Sequence, residues 1–252
     1  MGNSIQTPKF IFYESNIKNY FDNSNDITEI SDINNIVNIV KKLNKNISHK
    51  DEILYFDNND LVHSKSSMSE YSRFNTKTKK AKHWYAKQMC NYINNNYKKD
   101  EPIKILVLGV ALGSIIIDLL DNFINANITG IDISDEFYEI VNFYSPKERL
   151  ELIKTDAKEY VKNENIKYDI IICDIFDNIY LPDFVLDKEF LNNIYKKLKP
   201  NGKFLLNSIG ISIDKLNSSF KDGFGDNCKI TIIPRYTSYD IDTYNIVSFV
   251  NV

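Results

Sequence analysis

Glycine, proline, cysteine and tryptophan are scarce in this chain of 252 residues, at 8, 6, 3 and 1 respectively. Cys90, Cys173 and Cys228 are an odd number with no CxxC or metal-ligand spacing. That excludes a disulfide framework and points to a reducing, cytoplasmic setting. The three histidines, His49, His63 and His83, have no cysteine or acid at ligand spacing, so no metal site is expected. There is no G-x-S-x-G and no Cys/His arrangement, which argues against a hydrolase, and no NPPY-type loop for methylating a flipped adenine or an amide. No run approaches the roughly 18 apolar residues of a membrane span, and "MGNSIQTPKF" has no apolar signal region. Gly2 lacks the Ser or Thr at position six that myristoylation requires, having Gln6 there. An excess of positive charge is missing as well: the formal charge is −3 and the pI near 5.7, so neither nucleic acid nor an anionic membrane is an expected partner. The basic stretch "TKTKKAKHW" is short and reads as a solvated helix start.

What is present is a folding chain, 43% hydrophobic and 13% aromatic. Its heavy use of Asn, Ile, Lys and Tyr runs throughout and marks compositional bias in place of local low complexity. The length suits one large α/β domain with an appendage. Residues 1–75 form the appendage: "DINNIVNIVKKLNK" has the apolar spacing of an amphipathic helix, and "DEILYFDNNDLVHS" reads as a β-hairpin turning at "DNND". Residues 76–252 form the main domain, opened by a helix in "KAKHWYAKQMCNYINNNY" that Pro102 stops. From Ile103 strands and helices alternate. Strands are expected in "IKILVLG", "NITGIDI", "LELIKTD", "YDIIICDIF" and "GKFLLNSI", with helices at about 113–125, 134–144, 156–163 and 187–198. The unbroken apolar runs at 105–108 and 170–173 indicate central parallel strands covered on both faces. The final segment, "CKITIIPRYTSYDIDTYNIVSFVNV", reads as a closing antiparallel hairpin. Five parallel strands and an antiparallel pair make the layout of a class I methyltransferase-like, doubly wound α/β sheet.

Such sheets bind ligands outside the carboxyl ends of their strands. The first strand runs into the turn "GVALG", where Gly109, Ala111 and Gly113 stand in a strand-to-helix bend of the kind that cradles a nucleoside. Asp132 ends the second strand nineteen residues after Gly113, the spacing at which a carboxylate accepts both ribose hydroxyls; the alternative is a helix cap, a task Ser134 already serves. Asp156 ends the third strand in "TDAKEY", either as an N-cap or as the acceptor of an adenine amino group. Asp174 and Asp177, in "DIFD" after the central strand, are candidate general-base or amine-orienting groups, set against the alternative of surface loop acids.

The segment "ILVLGVALGS…GIDIS…IKTDAKEYV…YDIIICDIFDN…LPDFVLDKEFLNNIYKKLKPNGKFLLNSIG", residues 105–210, resembles the spermidine synthase (polyamine aminopropyltransferase) family of the class I AdoMet-dependent superfamily. The resemblance implies AdoMet or decarboxylated AdoMet as the bound donor, Gly109 and Gly113 at the donor turn, Asp132 on ribose, Asp156 on adenine, and Asp174 and Asp177 as catalytic acids. It places Tyr71 at the family's substrate-facing tyrosine. Two departures stand out. The family's G-G-G-D-G turn has Leu112 in place of its Asp, and its D-S-S-D-P loop reads "DIFDN". Removing a carboxylate from a site that pairs with ammonium groups disfavours polyamines. The expected function is therefore a methyltransferase-like transferase acting on a small-molecule or protein amine. An active aminopropyltransferase and a catalytically degenerate interaction protein are the alternatives, with a homodimer among the assemblies the resemblance suggests.

Overall fold

The computed structural model describes residues 27–47, 50–65, 70–163, 165–177, 180–226, 228–234 and 245–251. The amino-terminal decapeptide and the polar turn expected within 235–244 lie outside the described residues.

Helix α1, Ile27–Ile47, buries Ile36, Val37, Val40, Leu43 and Ile47, the 3–4 spacing of its apolar residues. It packs on a three-stranded antiparallel sheet of β1 (Glu52–Asp57), β2 (Asp60–Lys65) and β3 (Glu70–Asn75). The hairpin turns where expected, with Asn58 at φ 54°. Strand β3 is not legible in the sequence because its "EYSRFN" is largely polar. It is held by Arg73, whose guanidinium meets Asp57 at 2.6 Å, Asp60 at 2.7 Å and Glu70 at 3.3 Å.

After α2 (Trp84–Asn96), the main sheet begins with β4 (Lys104–Leu108), followed by α3 (Ser114–Asn122) and β5 (Asn127–Asp132). Next come α4 (Tyr138–Tyr144), β6 (Leu150–Lys154), α5 (Ala157–Asn163) and β7 (Tyr168–Cys173). The chain ends with α6 (Lys188–Lys197), β8 (Leu198–Asn207), α7 (Ile213–Phe224), β9 (Cys228–Pro234) and β10 (Asn245–Asn251). The strand order is β6-β5-β4-β7-β8-β10-β9, parallel from β6 to β8, with β10 antiparallel to both β8 and β9. This is the class I methyltransferase-like α/β fold.

Central strands are apolar on both faces because both faces are covered. Ile105, Val107, Ile170 and Ile172 pack toward α2 and α3, while Leu106, Leu108, Ile171 and Cys173 pack toward α6 and α7. Helix α7 was not expected; its buried Leu216, Phe220 and Phe224 close the second layer over Phe204. The chain departs from β8's ladder at "LKPNG", where Asn201 takes φ 61°, and rejoins it at Lys203.

A third cluster joins the appendage to the main domain. Ile36, Val40, Leu54, Phe56 and Phe74 from the first meet Leu112, Ile117, Phe137 and Ile140 from the second. Ion pairs Lys42–Glu139 (2.8 Å) and Lys50–Glu136 (2.9 Å) rim that joint.

Candidate functional site

The chain order reverses between β4 and β7, so a crevice opens where these neighbours end. Gly109 leaves β4 at φ 87°, and a Cβ there would lie 2.3 Å from the main-chain oxygen of Asp174. Gly113 has φ 77°, and its Cβ would lie 2.5 Å from Val141 Cγ2. Glycine is thus required at Gly109 by the main chain it faces and favoured at Gly113 by a side chain. Ala111 is exposed and adopts φ 43° with its own side chain. A bend short of glycine is sufficient because only two of its positions are closed.

Asp132 binds this bend directly. Its Oδ2 accepts from the N–H groups of Val110 (2.8 Å) and Ala111 (3.0 Å), and its Oδ1 from that of Ser134 (2.9 Å). With about four lone-pair directions on a carboxylate, one remains for a ligand hydroxyl. Next to it, Ile133 is 74% exposed, an apolar surface at a strand end where a flat base can lie. Asp156 caps α5, its Oδ1 accepting from Lys158 N at 2.6 Å, while the residue is exposed. Of the two roles expected for it, this is the N-cap.

Asp174 follows β7, beside Gly109. Asn207 donates from Nδ2 to its Oδ1 at 2.8 Å, and Tyr85 on α2 faces it. Burial pushes the Asp174 carboxyl up to about 7, Asn207 and Tyr85 oppose the rise, and the charge of Asp132 adds to it. Asp177 is exposed, in a short bridge where its N–H donates to Tyr180 O at 2.9 Å. Of the residues expected at the site, Asp132 bonds the Val110–Ala111 turn and Asp174 lies against Gly109, so the carboxyl ends of β4, β5 and β7 bring these together, and Gly113 starts the helix behind them.

Tyr71 sits at an irregular point of the appendage sheet. The register between β2 and β3 shifts between His63 and Ser64, leaving Tyr71 as the extra residue of a bulge. Its ring packs edge-on against His63 at 5.2 Å, and His63 bonds Glu52 at 3.1 Å. The phenol that faces Asp174 belongs to Tyr85, whose hydroxyl donates to the Tyr71 carbonyl at 3.1 Å. Through this contact Tyr71 also contributes its main-chain oxygen. Burial pushes the Tyr85 hydroxyl well up, so it stays protonated.

Leu112 does not line the crevice. It has no exposure and packs into the joint with α1 and the hairpin. Tyr85 and Asn207 were missed for different reasons. Tyr85 sits among the apolar positions of an amphipathic helix and looks like core. Asn207 was legible as a polar residue ending an apolar strand run, "FLLN". Among the described residues there is no cluster that could hold a metal ion.

The spermine/spermidine synthase domain model matches residues 84–240, more than half of the chain, and so includes Tyr85 but not Tyr71. The polyamine aminopropyltransferase of Vibrio vulnificus is 24% identical over 134 residues, covering 50% of this chain and 45% of that protein. The chain spans about half the length of the curated relatives it matches. A probable spermidine synthase from Corynebacterium glutamicum superposes with a TM-score of 0.65 at 15% identity, over 79% of this chain and 76% of that one. Human methyltransferase-like protein 13, solved with SAH, gives 0.53 at 20% identity over 67% and 82%. At such identities these two structures speak for the fold.

Proposed function

Because the chain belongs to the spermine/spermidine synthase family, we propose that it transfers an alkyl group from an adenosyl sulfonium donor to an amine. The observation that carries this reading is Asp174, a carboxyl pushed up to about 7 at the end of a central strand, between Tyr85 and Asn207. A group titrating there can orient an ammonium and then take its proton near neutral pH. Hydrogen-bond acceptors, including the Asp174 carboxylate and the Tyr71 carbonyl, favour a nitrogen carrying hydrogens. The donor would rest its nucleoside on the 109–113 turn, its ribose at Asp132 and its base near Ile133 and Asp156. The fit of the turn to such a donor rests on Asp132, whose carboxylate keeps one acceptor direction beyond its three main-chain N–H bonds, and on the exposed Ile133 beside it; the missing Cβ of Gly109 makes room for the Asp174 main chain. The donor supplies an electrophilic carbon bonded to positive sulfur; the protein supplies alignment, desolvation and a base.

The names of the curated relatives favour an aminopropyl donor. Methyl transfer is the other reading expected from the sequence; Leu112, on which that expectation rested, packs into the joint with α1 and does not bear on the choice of donor. Calorimetry with AdoMet, decarboxylated AdoMet and methylthioadenosine, repeated on Asp132→Ala, separates them. Micromolar binding of one sulfonium, lost in the variant, is the expected outcome. An intact protein binding none of the three would end the transferase reading in favour of a non-catalytic interaction protein.

A further inference from the structure

Asn207 is 1% exposed and ends β8. Cys173 pairs with Leu206 across the parallel ladder, so the next residues, Asp174 and Asn207, leave their strands side by side. Asn207 Nδ2 donates to Asp174 Oδ1 at 2.8 Å, whereas its own Oδ1 is buried and has no hydrogen-bond partner. Leaving a buried carbonyl without a partner is destabilising. An alkyl side chain would fill the space without that cost, so the amide is explained by what its other end does.

The other groups facing Asp174 hold it less firmly. Tyr85 has one hydroxyl hydrogen, for which Asp174 and the Tyr71 carbonyl, 3.1 Å away, both compete. Asp132 faces Asp174 from β5 as a like charge, and Cys173, its neighbour on β7, has its thiol pushed up to about 12 by burial and stays neutral. Asn207 thus gives this carboxylate an amide hydrogen at 2.8 Å, beside a hydroxyl that Tyr85 shares with the Tyr71 carbonyl.

We propose that Asn207 is the positioning residue of the site, holding Asp174 ionised and oriented so that its second oxygen, Oδ2, faces the acceptor. This rests on the transferase reading above. In that reaction the amine lone pair forms the new C–N bond, the C–S pair leaves with sulfur as a thioether, and the surplus N–H proton passes to Asp174 Oδ2. Without the clamp on Oδ1, burial returns Asp174 to its neutral form, which cannot take that proton.

The test follows ionisation directly, in ligand-free protein. The carboxyl carbon of Asp174, labelled with 13C and assigned with Asp174→Asn, is titrated by NMR beside the labelled side-chain amide of Asn207. In the wild type the Asn207 amide should shift with the same midpoint as Asp174, and Asn207→Leu should move that midpoint up by one unit or more, a tenfold change in the ionisation constant. Asn207→Gln should restore most of it. An Asn207 amide that ignores the titration of Asp174 overturns the proposal without any variant having to fold, as does a folded Asn207→Leu protein with an unmoved midpoint. Methylthioadenosine binding in the same samples reports on the transferase reading independently. Its absence would remove the reaction while leaving the Asn207 clamp standing or falling on the titration.

Discussion

At neutral pH the Asp174 carboxyl lies near its midpoint, and two outcomes at the residue scale depend on it. A base works only when ionised, so transfer should rise with pH through about 7 and then level, which a pH–rate profile checks. Stability runs the other way. The native carboxyl titrates above the ordinary value of 3.8, so its stabilising contribution is complete below about 4 and is lost as pH rises through about 7. Asp174→Asn should therefore lower the rate by about 10²- to 10⁴-fold. It should also melt above the wild type at pH 8 and approach it near pH 4, as calorimetry can show. Asp132→Ala strips an acceptor from three main-chain N–H groups and should cost about 2 kcal/mol or more in denaturant unfolding. Asp132, Asp156 and Asp174 were legible because acids at strand ends stand out. Tyr85 was not legible, because spacing along the chain does not reveal which phenol reaches a carboxylate from another element.

The strand-to-helix turn sets the behaviour of its element through two collisions and three positive φ angles. Gly109→Ala meets a main-chain oxygen that cannot move, and should destabilise by more than about 2 kcal/mol or prevent folding. Gly113→Ala meets only the side chain of Val141. Combining it with Val141→Ala should therefore relieve the collision and leave the residual strain of about 1–2 kcal/mol expected for alanine at positive φ. Urea titrations of the two singles and the double measure this coupling; purely additive losses would mean the two side chains do not collide. Elements with strong apolar periodicity or unbroken apolar runs were legible from sequence. Strand β3 and helix α7 were not: the first owes its place to ion pairs around Arg73, the second to three aromatic or aliphatic contacts that become a face only once β8 is beneath them.

For the whole molecule, Leu112 changes its meaning once the appendage is in place. In the linear motif it is a missing acid; in the fold it is a core residue of the joint where α1 and the hairpin sheet close on α3 and α4. Leu112→Asp would put a carboxylate among the apolar side chains of Ile36, Phe56, Phe74 and Phe137. It should destabilise by about 3 kcal/mol or more and confer no affinity for amines, checked by thermal melting and by calorimetry with a diamine. By itself, the sequence determined the doubly wound sheet, its closing hairpin, the turn and the acids beyond the strand ends, since periodicity and turn chemistry are local properties of the chain. Only tertiary structure decided that Tyr85 and Asn207 flank Asp174, that Asp132 is engaged with the turn, and that Leu112 points away from the crevice. Those depend on which side chains distant elements bring within about 3 Å of one another, and on how burial then shifts the charge they carry.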